Sequence, residues 1–205
     1  MAFEVSKEKV EGLDVKECFI EGFNTFKNNP KEVFLASLFL VLGSLLTFGF
    51  LGGSLLAGFI TFVQKLRTGD QEAKPTDVFS KLNIILPSFI LIATIFTALT
   101  LNYIIIGVFF GWMISTLTGL LVGAVSYSVL SVSIALLASG KVEKATDAIQ
   151  IGWDTFLLSP KNFYLLSVMV YTLYYLGTFC FGTIMLITIP ITLCTIVIAS
   201  EKLTK

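Results

Sequence analysis

Tyr171, Tyr174 and Tyr175 cluster in one uncharged stretch of the chain, and Ser126, Ser128, Ser131 and Ser133 recur in another. Hydroxyls buried among apolar helices can hydrogen-bond a neutral solute, so Ser128, Tyr171, Tyr174 and Tyr175 are candidates for a polar crevice. The same groups can equally pack helix on helix, and neither use calls for a metal or a cofactor. Asn102 is the one carboxamide in the uncharged stretches. It can hydrogen-bond across helices or sit beside Tyr103 at the outer interface, and its place near the outer end of a span favours the interface.

Stronger chemistry finds little support. The chain has no histidine, which removes the commonest general base, proton shuttle and metal ligand together. No Gly-x-Ser-x-Gly elbow and no phosphate-binding Gly-x-x-x-x-Gly-Lys-Ser/Thr loop occurs. Cys18, Cys180 and Cys194 show no C-x-x-C spacing and read as small buried hydrophobes. Catalytic, cofactor-binding and metal-binding residues are therefore expected to be absent.

The elements that would position these groups follow from where charge is missing. All 28 charged residues fall in four polar segments, leaving Val33 to Val63, Ile84 to Gly140 and Phe163 to Ser200 uncharged. An uncharged apolar run of about 18 residues or more is a candidate membrane span. If each stretch holds an even number of spans, all 14 lysines and arginines lie on one face. The positive-inside rule makes that face cytoplasmic.

The expected fold is an all-α polytopic membrane bundle of about six transmembrane helices in three hairpins, within a single membrane domain, 1–205. Both termini and both polar loops are expected in the cytoplasm. Val33 to Val63 is short for two spans unless the helices run from Pro30 to Arg67, with Lys65 and Arg67 snorkelling to the headgroups. Its turn is expected at Gly49 to Gly53. One tilted span of 31 residues, with the N-terminus outside, is the alternative there. The central hairpin, 84–140, should turn between Gly107 and Leu117, and the last one near Gly182. The first 32 residues carry seven acidic and five basic side chains without an apolar core, so no cleavable signal peptide is expected.

The segment Gly22 to Ser37 recurs as Gly152 to Ser167, with seven of sixteen positions identical: Gly, Thr, Phe, Pro, Lys, Leu and Ser in register. Apolar helices that match by chance share leucines, not this set, so two parallel repeat units are expected, 14–67 and 144–203. Each opens with an amphipathic stripe at i, i+3, i+4, i+7 spacing. The stripes carry Phe19, Phe23 and Phe26 in one copy and Ile149, Trp153 and Phe156 in the other, all expected to anchor an interfacial helix. Lys16, Glu17, Glu21 and Lys27 are assigned to the opposite, polar face. Pro30 and Pro160 then break each helix and open the descent. Gly119 and Gly123 form a small-residue face for helix packing, within the monomer or between copies.

These motifs carry a resemblance. Gly22-Phe23 with Phe26 and Pro30 is one part, and Leu66-Arg67-Thr68-Gly69-Asp70 followed by Asp77-Val78-Phe79 is another. Lys144 to Gln150 before Trp153, then Gly182 and Pro190, make the third. The chain resembles a broad group of prokaryotic multi-pass membrane proteins that includes the membrane domain fused to some glycerophosphodiester phosphodiesterases. The resemblance implies a six-span helical domain and brings no catalytic residue with it, the phosphodiesterase being a separate soluble domain.

The function expected from these features is that of a non-enzymatic accessory subunit or scaffold. It would act through membrane lipids and through a membrane-protein complex or homo-oligomer, with no nucleic acid. A transporter or channel for a neutral or amphipathic small molecule is the alternative.

Overall fold

The computed structural model describes residues 6–70, 72–179 and 185–204, and every regular element among them is helical. A short α1 (Lys7–Glu11) precedes α2 (Val15–Asn28), whose first turn is capped by Asp14. The Asp14 carboxylate accepts from the Lys16 and Glu17 amides at 2.8 and 3.1 Å, which satisfies donors a helix start leaves open. Pro30 then takes the first position of α3 (Pro30–Leu46), where its missing N–H costs nothing. The two helices bend by 105° at this junction. A similar order recurs later in the chain: α7 (Ala145–Leu158) has 14 residues like α2, and α8 (Pro160–Phe179) opens on Pro160.

Two hairpins lie between. α3 turns through 47–51 into α4 (Gly52–Arg67), so the pair runs from Pro30 to Arg67. Two 3-10 turns, Pro75–Phe79 and Leu82–Ile84, lead into α5 (Ile85–Phe110), which reverses at Gly111 into α6 (Trp112–Ser139). Gly111 sits at φ 85°, a left-handed conformation open to glycine and strained for other residues. α9 (Met185–Thr204) closes the chain, and the turn expected near Gly182 lies outside the described residues.

The hairpins differ in length. α3 and α4 have 17 and 16 residues, about 25 Å each, whereas α5 and α6 have 26 and 28, about 40 Å. Among the described residues, two stretches qualify by length and composition to cross a membrane, Pro75–Phe110 and Ile187–Thr204, or up to 3 if the bent α2–α3 pair is one span. The chain thus has the make-up of a helical membrane protein.

Two buried clusters hold the bundle. One gathers Val33 and Ala36 of α3, Phe59, Phe62 and Val63 of α4, Ile134 of α6, and Cys194 and Val197 of α9. The other joins Val10 and Cys18 to Val132 and Leu136 of α6, Phe163 and Leu166 of α8, and Ile198 and Leu203 of α9. α6 and α9 serve both and form the spine. α4 is enclosed along most of its length. A Cβ at Gly58 would collide with the Val78 carbonyl and stand 2.9 Å from the Asp77 carbonyl oxygen, so the 75–79 turn lies directly on it.

Candidate functional site

Charged side chains converge where the ends of α4 and α9 meet the first half of α2. Lys202 reaches Glu17 and Glu21 at 2.8 Å each, Arg67 reaches Glu21 at 2.7 Å, and Arg67 also pairs with Glu201. Glu201 is only 4% exposed, so the guanidinium offsets a carboxylate withdrawn from water. Nearby, Lys65 pairs with Asp77 at 2.9 Å. These contacts add partners that the sequence reading did not supply. Glu17 and Glu21, on the polar face of α2, bind α9 and α4, Glu17 while its side chain stays 59% exposed. Lys65 and Arg67 are both ion-paired within the protein. The charge pattern within α2 alone could not show this, because the partners lie far away in sequence.

The stripes of α2 and α7 each divide into two parts. Their small members face the protein: Cys18 and Gly22 in α2, and Ala145, Ala148 and Gly152 in α7, are buried, as are Thr25 and Thr155 beside them. A Cβ at Gly22 would stand 2.9 Å from the Thr195 amide nitrogen of α9, and one at Gly152 would stand 2.8 Å from Val129 Cα of α6. Each glycine therefore lets its helix touch another backbone. Ser133 strengthens the second contact by donating to the Ala148 carbonyl at 2.6 Å. The aromatics flank these seams. Phe23 and Trp153 remain 44% and 45% exposed, Phe19 is half-buried, and Phe26 and Ile149 pack against the first cluster. Phe156 sits between Trp153 and Phe163, its ring centroid 6.1 and 6.3 Å from theirs.

Burial pushes the Cys18 thiol up to about 11, with Lys202 acting in the opposite sense. Cys18 is thereby a poor nucleophile at neutral pH. Cys194 is also buried, and Cys180 lies outside the described residues.

Of the proposed polar crevice, the side chains of Ser128, Tyr171, Tyr174 and Tyr175 lie outside the described residues, although their backbones belong to α6 and α8. Gly119 and Gly123 are buried, and Gly119 faces Asn102 of α5 inside the monomer. Asn102 makes a long 3.5 Å hydrogen bond to the Ser115 carbonyl across the same helix pair, the interhelical use its carboxamide allows. A cleft of about 340 Å³ opens between the start of α5 and the end of α6, lined by Lys81, Asn83, Pro87, Ser139 and Glu143 among others. Among the described residues, no group of three His, Cys, Asp or Glu side chains could hold a metal ion.

Comparison with protein-family models, with curated proteins and with solved structures finds no match to this chain.

Proposed function

We propose that the chain is a multi-pass plasma-membrane protein of a prokaryote, with both termini in the cytoplasm. It is built as two parallel repeat units around a central hairpin. In this reading α3–α4, α5–α6 and α8–α9 are three hairpins, six helices in all, that enter the bilayer from the cytoplasmic side. α2 and α7 lie along the interface, anchored by Phe23 and Trp153. The protein is not an enzyme. It acts as an accessory subunit or scaffold through lipid and protein contacts, in keeping with the family resemblance of its motifs.

One observation carries this reading. Ile104, Ile105, Val108, Phe109, Phe110 and Met113 are all exposed on the central hairpin, Val108, Phe109 and Met113 at 75% or more. An apolar surface of that kind needs lipid or a partner to cover it. The ion pairs tying α2 to α4 and α9 support the reading as well, since they occupy the converging charges in holding helices together.

A native pull-down of the full chain in mild detergent tests the function. A stoichiometric membrane-protein partner is expected. A lone monomer that moves a neutral solute across vesicles overturns the reading in favour of transport. Lys74→Cys and Glu143→Cys should label with an impermeant maleimide only after the cells are opened.

A further inference from the structure

The tip of the first hairpin does not lie beside the tip of the central one. The Phe50 ring is 4.9 Å from the ring of Phe89, in the second turn of α5. A Cβ at Gly53 would come 2.6 Å from Ser88 Cβ. The turn at Gly111 lies a further 22 residues along α5, about 33 Å beyond Phe89. A hydrocarbon core is about 30 Å thick, so this stretch of α5 suffices to cross it. When α5 spans the bilayer from the level of Phe89, the first hairpin ends at the near boundary of the core.

The 47–52 turn is built for a medium without water. Thr47, Phe48, Gly49, Phe50 and Gly52 donate their amides to the carbonyls of Gly43, Leu45, Ser44, Thr47 and Gly49 at 2.7–3.3 Å. The Leu51 amide donates to Thr47 Oγ1 at 3.2 Å, and that hydroxyl donates in turn to the Gly43 carbonyl at 2.7 Å. Six successive donors are satisfied inside the turn. An aqueous loop has no need of this, whereas a turn in hydrocarbon does, because an open donor there has no partner. The side chains agree. Leu45, Leu46 and Phe48 are 68%, 80% and 99% exposed, and Phe48 is held at φ 50°, an uncommon conformation for an aromatic residue. At the other end of the hairpin, Lys31 is exposed and Lys65 pairs with Asp77.

We propose that α3–α4 is a wedge. It inserts its Leu45–Phe50 tip among the acyl chains of the cytoplasmic leaflet and stops there, against the first turns of α5. This rests on the membrane reading above and refines it, because the wedge enters without crossing. Four helices then cross the bilayer, α5, α6, α8 and α9.

The test uses the full chain in intact and permeabilised cells, with the parent chain labelled in parallel to subtract its native cysteines. Phe48→Cys should react with an impermeant maleimide on neither side until the protein is denatured. Phe110→Cys, beside the Gly111 turn, should react from outside, and Lys74→Cys only after opening. Labelling of position 48 from outside means the hairpin crosses, and labelling after opening means the tip stands in water; either result overturns the wedge. Failure at positions 74 and 110 instead overturns the membrane reading beneath it. A bimane attached at position 48 in brominated-lipid vesicles gives the depth. Quenching should be stronger from bromines near the headgroup end of the chains than from bromines at the chain terminus. The reverse order overturns the proposal.

Discussion

Glu21 of α2 and Lys202 of α9 meet at 2.8 Å although nearly the whole chain separates them in sequence. Arg67 joins the same carboxylate from α4, so one acidic residue ties three helices. Lys202→Met should lower stability in detergent by about 1 kcal/mol, the range of partly exposed pairs, and added salt should shrink the difference. Arg67→Met should cost about 2 kcal/mol, because its other partner is the buried Glu201, and salt should change that less. Thermal melts at two ionic strengths measure both, and equal salt dependence for the two variants would count against the assigned geometry.

Gly22 and Gly152 test the two seams. In an exposed helix, Gly→Ala gains about 1 kcal/mol from helix propensity. Here the added methyl meets Thr195 or Val129 backbone at 2.9 or 2.8 Å, and overpacking of that kind costs about 1–3 kcal/mol. Both Gly22→Ala and Gly152→Ala should therefore lower the melting midpoint, and their valine variants should lower it further. A rise in both alanine variants would show that neither helix is seated as described.

Cys18 gives the pH dependence. Its thiol, near 9.0 when solvated, is raised to about 11 in the folded protein, so between these values the folded state holds a proton that the unfolded chain releases. Stability from this group is complete below pH 9 and falls as pH climbs towards 11. The loss is on the order of 2 kcal/mol. Cys18→Ala should flatten that part of the stability profile. An alkaline slope unchanged by the substitution would assign it to other groups.

Phe23 and Trp153 test the interfacial helices. Each is about half exposed, so its further burial against lipid is worth roughly 1–2 kcal/mol. Phe23→Asp and Trp153→Asp should leave expression intact and raise amide exchange across 15–28 and 145–158 respectively in vesicles. Unchanged exchange in both variants would mean these aromatics do not hold their helices to lipid.

Much of the helical layout was legible in the sequence because it follows local signals. Pro30 and Pro160 open helices, Gly111 falls inside the expected turn window, and the uncharged stretches supply the long helices. Partners were less legible. The periodic stripe on α2 marked a buried face, but nothing local said that Cys18, Gly22 and Thr25 would take the protein side while Phe23 stayed half exposed. The pairing of Glu17 and Glu21 with Lys202 and Arg67 was not legible, because those partners are distant in sequence. Helix direction and length can be read from neighbours along the chain, whereas seating depends on residues brought together only by folding.

The seat of α2 against α9 also sets an order of events during synthesis. α2 is complete at residue 28, but the last turn of its partner is not made until residue 204. At about 5–20 residues per second, translation of the intervening chain takes roughly 9–35 s. Through that interval Glu17 and Glu21 have no Lys202 to meet, and the groove beside Gly22 stands open. The nascent helix can wait on the bilayer surface or be shielded by a chaperone, and a ribosome stalled before α9 would leave it undocked. α2 is thus made well before the helix on which it is seated.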